Sequence, residues 1–464
     1  MRREVKWLPL VFLISSSLLL LPLFMYPSDW AGWLLVYFSF TLPLSFARIR
    51  SDRKLLIIML VVVAVHNAVS IYNVYGETIF GAGLDAIRFQ DLARDMAADK
   101  HSIWFAEFDS LEVGTSVYTR FIAAFYRIFG VSLLLGQSLS VIAYTLSCIT
   151  VIYLAKELRL RFKRSILIVY SIAAPAIIYC SILMREAWQA LFFLLLAYLA
   201  LQLRAAPSLV RSVGVLFSGL LLGMLHNGLF VYSLVLVTWS LYWGASGKWK
   251  RSVYKKLFIR TGILVSTVII LGIWFYLGGE IGGVAKAIRS GEMATYTETY
   301  RERGEQDAAA NYQVKVETTS LVAFVSSGSL AFIYYQFAPF PWQVRRPIDI
   351  YAAAESILRL ILMVYMFRLW WNARGERRQR YTYLIICYLT IEFLWALGTG
   401  NWGTAVRHHL VAYGILALLG TPGLIYSFER MFRKMKLMAM GKSRLKRYDV
   451  RGIRVATSVT NTYE

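Results

Sequence analysis

Long apolar stretches recur along the chain and are separated by short polar segments. Each of the longer stretches has enough residues to cross a hydrocarbon core of about 30 Å, which takes roughly 20 helical residues. Lipid offers no hydrogen bonds to a backbone, so such stretches form helices. The pattern predicts an all-α polytopic membrane protein with about twelve spans, near residues 7–27, 31–47, 55–75, 131–155, 164–183, 187–203, 212–225, 229–245, 257–278, 352–371, 381–398 and 405–426.

Two shorter segments have a mixed pattern that differs from a span. In GLDAIRFQDLARDM, residues 83–96, apolar residues at helical spacing alternate with charges; they are Ile87, Leu92 and Met96. In SVYTRFIAAFYRIF, residues 116–129, Arg120 and Arg127 share a polar face. This pattern is typical of amphipathic helices that lie in a membrane interface. We therefore predict such helices on the outer face of the bundle.

The apolar stretch 319–342 is long enough to span, but a span here conflicts with the charge pattern. It would place two basic segments, 368–380 and 427–464, on the outer side. We predict instead a re-entrant or interfacial hairpin, broken by the PFP sequence at 339–341, because proline interrupts a helix. A span remains the alternative.

Composition excludes a soluble protein of this length. The 464 residues are 58% hydrophobic and 17% charged, with a mean hydropathy of +0.54, whereas soluble domains carry more charge. The three cysteines, Cys148, Cys180 and Cys387, lie inside apolar windows without metal-ligand spacing. We predict that they are small core residues.

The charge distribution predicts the orientation. The net charge is +23, and in a membrane protein this excess indicates contact with an anionic leaflet rather than with nucleic acid. With a cytoplasmic N-terminus, most Lys and Arg residues fall on the inner side, as the positive-inside rule requires. The inner segments are then 1–6, 48–54, 156–164, 204–211, 246–260, 368–380 and 427–464.

This orientation defines two regions and one functional face. Residues 1–426 form the transmembrane domain, and 427–464 form a basic cytoplasmic tail that we expect to be membrane-adjacent and partly disordered. Two outer loops, 76–130 and 279–351, are much longer than the other connections. Long loops with their own helices are usually functional, so we place the active site on this outer face.

Charged residues at the outer ends of spans are few, and each is costly at that depth. They are Arg185, Glu186, His226, Arg407 and His408. Arg185 and Glu186 could instead extend toward the lipid headgroups. His226 could be a core histidine, and Arg407 and His408 could serve only to anchor their helix. Further candidate substrate contacts are Arg88, Arg301 in the polar outer segment and Arg345 after PFPW.

Together these groups suit one kind of chemistry. Arginine binds phosphate with a planar fork, and histidine adds donors. A phosphate within reach of the outer leaflet most often belongs to a lipid-linked sugar. Asp85 could then take the proton of an acceptor hydroxyl as general base, while the cations stabilise the departing phosphate. We predict no cofactor. A divalent metal is the alternative, and the only feature that supports it is the carboxylate pair Glu107 and Asp109.

The segment DAIRFQDLARDM resembles the first-outer-loop motif of GT-C-fold glycosyltransferases of the protein-mannosyltransferase and aminoarabinose-transferase type. Asp85 matches the first acid, which is the proposed catalytic base of that family; Phe89 matches the aromatic residue and Ala93 the alanine. Ala86 replaces the second acid. The segments VYTRFIAAFYRIFGVSLLLGQSLSVI, IYCSILMREAWQALFFLLLAYLAL and GTAVRHHLVAYGILALL are also similar to family segments.

The resemblance implies a glycosyltransferase of a bacterial plasma membrane with an inverting mechanism. It implies a polyprenyl-phosphate or pyrophosphate sugar donor and a glycan or lipid acceptor, with membrane lipids and envelope-polysaccharide assembly proteins as further partners. Two alternatives stay open. An O-antigen or exopolysaccharide polymerase would join lipid-linked repeats, and a flippase would show two related halves. Glu392 and Arg359 lie within late spans and could pair or line a lipid groove.

Overall fold

The computed structural model describes residue 22 and residues 24–79, 83–99, 113–245, 311–312, 314–317 and 319–449. Nearly all of these residues are helical, and this part of the chain contains no strand beyond one isolated bridge between Asn311 and Asn401. The predicted all-α class is confirmed.

Sixteen α-helices are described. In chain order they are α1 (Trp30–Ser45), α2 (Ala47–Arg50), α3 (Arg53–Tyr75), α4 (Leu84–Ala98), α5 (Val113–Phe129), α6 (Leu133–Glu157), α7 (Lys163–Ser171), α8 (Ala174–Tyr179), α9 (Glu186–Ala205), α10 (Leu209–Met224), α11 (Asn227–Ala245), α12 (Leu321–Phe337), α13 (Pro347–Trp371), α14 (Gly375–Gly398), α15 (Trp402–His408) and α16 (Leu410–Asp449).

Six helical segments within the described ranges are long and apolar enough to cross a membrane. They are α3, α6, α9, Asp349–Trp371 of α13, α14 and Leu410–Phe432 of α16, and three shorter apolar helices accompany them in α10, α11 and α12. The prediction of a multi-pass membrane protein is confirmed by these membrane-length helices. Of the twelve predicted spans, 257–278 and most of 7–27 lie outside the described residues.

The predicted span 164–183 is wrong as a single helix. It consists of α7 and α8, with a break after Ser171. Pro175 is at the start of α8, and a proline is tolerated in a first helical turn but cannot extend a preceding helix. The predicted span 405–426 is also divided, since α15 ends at His408 and α16 begins at Leu410.

The hairpin predicted at 319–342 is wrong as well, because this stretch contains one helix rather than two limbs. α12 runs from Leu321 to Phe337 and stops before Pro339, so proline ends the helix as expected. A Cβ added at Gly328 would lie 3.3 Å from the Phe393 ring and 3.4 Å from the Leu397 side chain on α14. The stretch is therefore part of the helical bundle.

The core is packed around α6 and α16. α6 is buried along most of its length, and α16 approaches α13 through small residues. A Cβ added at Gly423 would lie 2.2 Å from the backbone oxygen of Tyr365, and one at Gly420 would lie 2.6 Å from that of Leu362. Only glycine permits this approach. α16 also continues past residue 426 as one helix to Asp449.

The three cysteines are free and buried, as predicted. The two late intramembrane charges, Glu392 and Arg359, do not pair directly. Glu392 Oε2 accepts a hydrogen bond from Gln336 Nε2 at 2.6 Å and lies 2.5 Å from His409 Nδ1. Arg359 donates to the Gln336 backbone oxygen at 3.1 Å. This buried network ties α12, α13 and α14 to the start of α16.

Candidate active site

The segment that carries Asp85 is a helix, as predicted, but its buried face differs from the predicted one. α4 buries Ala86, Phe89, Ala93 and Met96, which recur at helical spacing. Ile87 is 53% exposed, because a position one residue after Ala86 turns away from the same face. Asp85 lies in the first turn, where a carboxylate interacts favourably with the helix dipole.

The predicted amphipathic helix at 116–129 corresponds to α5. Its apolar face packs against α4, and it includes Tyr118, Ile122 and Tyr126. The rings of Phe89 and Tyr118 are 5.1 Å apart in an edge-to-face arrangement, which aromatic pairs favour. α5 thus supports the helix that presents Asp85.

Arg407 contacts two carboxylates that are far from it in the sequence. Its Nη1 atom lies 2.5 Å from Asp85 Oδ2, and its Nε atom lies 3.1 Å from Glu186 Oε1. The Glu186 side chain is only 2% exposed, and that of Arg407 is 18% exposed. One guanidinium is therefore shared between a half-exposed carboxylate and a buried one.

Arg185 is close enough to Asp85 for its charge to act on the same carboxylate as Arg407. Its guanidinium carbon lies 5.7 Å from the centre of the Phe89 ring, and its side chain is buried. Among the residues that the structure describes, Arg185 Nη1 and Glu186 Oε2 have no hydrogen-bond partner. Buried polar atoms are nearly always satisfied, so this unpartnered arginine nitrogen is a candidate contact for an anionic ligand.

Two histidines and a tryptophan form the adjoining wall. The His408 ring stacks on Trp395 at 4.0 Å, and His226 meets the same indole edge-on at 4.7 Å. His226 Nδ1 accepts a hydrogen bond from the Gly228 backbone N–H at 3.1 Å. A neutral His226 therefore carries its proton on Nε2, as a donor. His408 Nδ1 lies 3.0 Å from Thr399 Oγ1.

The electrostatics keep the acid charged and the histidines neutral. Partial burial by itself raises the pKa of Asp85, but the charges of Arg407, Arg185 and Arg88 outweigh it, and the pKa is lowered. Burial lowers the pKa values of His226 and His408 well below 6.5, and neighbouring arginines lower them further. Three arginines face two carboxylates, which leaves one positive charge in excess.

The lowered pKa of Asp85 gives a pH prediction. The ionised carboxylate is present above its folded-state pKa and is lost as the pH falls through that value. Arg88→Gln removes one of the charges that lower this pKa, so we expect the acid limb of kcat/KM to move to higher pH. Arg94→Gln is the matched control, since Arg94 pairs with Asp91 at 3.1 Å. Equal shifts in both variants would count against a local effect on Asp85.

Most of the predicted site residues converge. Arg407 contacts both Asp85 and Glu186, Arg88 and Arg185 act on Asp85 through their charge, and His226 and His408 form the adjoining wall. Arg345 does not join them: its side chain is exposed, and its backbone N–H donates to Asp349 at 3.2 Å. Arg301, Glu107 and Asp109 lie outside the described residues.

Two neighbours of the site have no signal in the sequence. Tyr179 is close enough to Arg407, Glu186 and Asp85 for their charges to act on its hydroxyl. Trp395 on α14 contacts the rings of both histidines. In the sequence, both look like ordinary aromatic residues of a membrane span. Tyr179 reaches the site because α8 ends there, and Trp395 because it lies near the end of α14. Within the described ranges, no group of three His, Cys, Asp or Glu residues could hold a metal.

Searches of protein-family models and of curated proteins find no match for the chain. Among solved structures, the chain is similar to ArnT from Cupriavidus metallidurans, whose crystal structure is bound to undecaprenyl phosphate. The two chains are 14% identical, with a TM-score of 0.43, and the alignment covers 78% of this chain and 59% of ArnT. This chain thus spans less than two thirds of ArnT. What the candidate site does has to follow from its own residues.

Proposed function

We propose that the chain is a GT-C-like glycosyltransferase that moves a sugar from a polyprenyl-phosphate or pyrophosphate donor to a glycan or lipid acceptor. The observation that carries this proposal is the unsatisfied, buried nitrogen of Arg185 beside Arg407 and an ionised Asp85. A site with a spare arginine donor and an adjacent carboxylate suits a phosphate leaving group and a hydroxyl nucleophile.

The phosphate of the donor binds between Arg185 and Arg407 in this scheme. Both arginines are already held in place, Arg185 against the Phe89 ring and Arg407 by its ion pair with Glu186. Little side-chain entropy is therefore lost on binding. A phosphate monoanion balances the single excess positive charge of the cluster. Charge-assisted hydrogen bonds from arginine forks are among the strongest that a protein makes with phosphate.

Arg407 also controls the basicity of Asp85. In the free site, the contact with Arg407 lowers the pKa of Asp85, which makes this carboxylate a weak base. When the donor phosphate takes the Arg407 fork, the contact with Asp85 weakens and the pKa of Asp85 rises toward its usual range. Donor binding therefore prepares the base, and the free enzyme keeps it inactive.

The proposed transfer reaction needs no bound cofactor. The acceptor oxygen attacks the anomeric carbon, and its proton passes to Asp85. The bond between the anomeric carbon and the phosphate oxygen breaks, and the electron pair stays on that oxygen. Arg185 and Arg407 stabilise the resulting charge on the polyprenyl phosphate. Neutral His226 supplies a further hydrogen-bond donor toward the sugar or phosphate.

The same proposal includes the membrane side. The cluster lies where the charge distribution predicts the outer face, so transfer takes place on the extracytoplasmic side of a bacterial plasma membrane, with both termini cytoplasmic. An O-antigen-type polymerase would use the same face. The two are distinguished by product, because a polymerase lengthens a repeat-unit chain whereas a transferase adds one sugar.

Donor recognition is tested by comparing a polyprenyl phosphate with the corresponding polyprenol on the purified protein in detergent. We expect the phosphate to bind and the alcohol to bind far more weakly. Arg185→Gln removes a charge-assisted hydrogen bond worth about 2 kcal/mol and should weaken phosphate binding by roughly 30-fold. Arg94→Gln should leave the affinity unchanged. Equal affinity of the wild-type protein for the phosphate and the alcohol would remove the basis of the proposal.

A further inference from the structure

A second charged site lies at the opposite end of the bundle from Asp85. α9 begins at Glu186 in the candidate active site and reaches Arg204 near its other end, a distance of about 27 Å at 1.5 Å per residue. There a cavity of about 830 Å³ opens between the ends of α6, α9 and α14. Its lining consists of Arg48, Lys156, Glu157, Leu158, Arg159, Arg204, Ala205, Glu376, Arg377 and Arg380.

Six cations and two carboxylates line this cavity, so it has four positive charges in excess. Both carboxylates already form ion pairs with arginines that line the cavity. Glu376 accepts from Arg204 Nε at 2.7 Å and Nη2 at 3.1 Å, and Glu157 accepts from Arg380 at 3.1 Å. Lys156 and Arg377 make no ion pair among the residues that the structure describes. The excess charge is therefore available to a ligand.

The walls of the cavity are preorganised. Arg204 is 8% exposed, and its guanidinium carbon lies 4.5 Å from the centre of the Trp243 ring. Arg159, just past the end of α6, has a φ of 55°. This is the left-handed conformation that glycine usually supplies after a helix. The chain places a charged arginine at a position where a glycine would be less strained.

We propose that this cavity binds a phosphate-bearing anion with at least two negative charges. The volume is within the range of ligand pockets, and a cluster of like charges with so few carboxylates is stabilised by a multivalent anion. The anion is either a membrane lipid headgroup or a soluble diphosphate. A lipid fits the position better, because most of the lining residues lie at the ends of three membrane-length helices, where basic pockets meet headgroups.

Two probes distinguish these sources in the full-length protein. The first is nanodiscs of phosphatidylcholine with and without 10 mol% cardiolipin (an order-of-magnitude dose, about one lipid in ten), whose headgroup carries two phosphates. The second is inorganic pyrophosphate added to the protein in detergent. The readout is retained lipid by native mass spectrometry in the first arm and the dissociation constant by calorimetry in the second.

The test variant is Lys156→Gln/Arg377→Gln, which removes two exposed cavity charges without breaking a recorded ion pair. We expect it to weaken binding by about 30-fold. Lys54→Gln/Arg374→Gln is the matched control, since it removes two cations that also lie in predicted inner segments but outside the cavity lining. Lys156→Arg/Arg377→Lys keeps the charge and should retain binding, which separates lost affinity from lost folding.

Binding of cardiolipin alone, or of pyrophosphate alone, supports the site and identifies its source. Equal weakening by the cavity variant and the control variant would overturn the proposal, because it would indicate general attraction to an anionic surface. Absence of binding in both arms would overturn it as well.

Discussion

Asp85→Asn is expected to lower kcat for sugar transfer by roughly 10²- to 10⁴-fold, the usual contribution of a positioned general base. The amide has nearly the same volume, and its oxygen can still accept from Arg407, but it cannot take a proton from the acceptor. Because the substitution removes the negative charge that competes with the donor phosphate for Arg407, donor affinity should be equal or higher. The measurement is single-turnover transfer with purified donor in detergent, together with donor binding by calorimetry.

Asp95→Asn is the control for this variant. Asp95 lies on the same helix, and its carboxylate is exposed and 3.4 Å from Arg94 Nε, so the substitution makes the same chemical change away from the site. Transfer by this variant should match the wild-type rate. Full activity of Asp85→Asn would remove Asp85 from the mechanism, and an equal loss in both variants would indicate a general effect on α4.

Arg407→Ala is expected to have two effects, because this arginine serves both the ligand and the fold. It removes the fork that holds the donor phosphate, which should raise the donor KM by at least tenfold. It also leaves the 2%-exposed Glu186 without the cation that lies 3.1 Å away. Breaking a buried ion pair from one side costs about 3 kcal/mol, so the melting temperature should fall.

The double variant Arg407→Ala/Glu186→Gln separates these effects. A neutral amide at 186 does not need the arginine, so the double variant should regain most of the lost stability while donor binding stays weak. Thermal unfolding and donor calorimetry on both variants are the measurements. If donor binding recovers together with stability, Arg407 only anchors the fold and the phosphate must bind elsewhere.

The convergence of the site was predictable from the sequence in part. The sequence points to Arg185 and Arg407 because charges at the outer ends of apolar stretches are costly and few, and to Asp85 because it begins an amphipathic segment of a long outer loop that resembles a family motif. The structure brings all three together. The all-α class followed from the same periodicity. The direct sharing of Arg407 by Asp85 and Glu186 was not predictable, because it depends on how α4, α9 and α15 meet.

The errors have a common physical cause. Apolar periodicity reports burial but not what a residue is buried against, so Ile87 looked like part of the inner face of α4 although the packed face contains Ala86. Small residues such as Ala86 contribute little to a hydrophobic pattern and yet permit close packing against α5. The stretch 164–183 reads as continuous because hydropathy alone does not register the break that Pro175 marks.

The network of Glu392, Gln336 and His409 has a consequence for turnover. His409 lies two residues beyond Arg407 and is held on both ring nitrogens, by Glu392 and by the Tyr335 carbonyl. The backbone that carries Arg407 is thereby fixed, while its guanidinium can exchange partners by side-chain rotation. In the proposed transfer reaction, Arg407 can therefore pass from Asp85 to the donor phosphate without a rearrangement of this backbone.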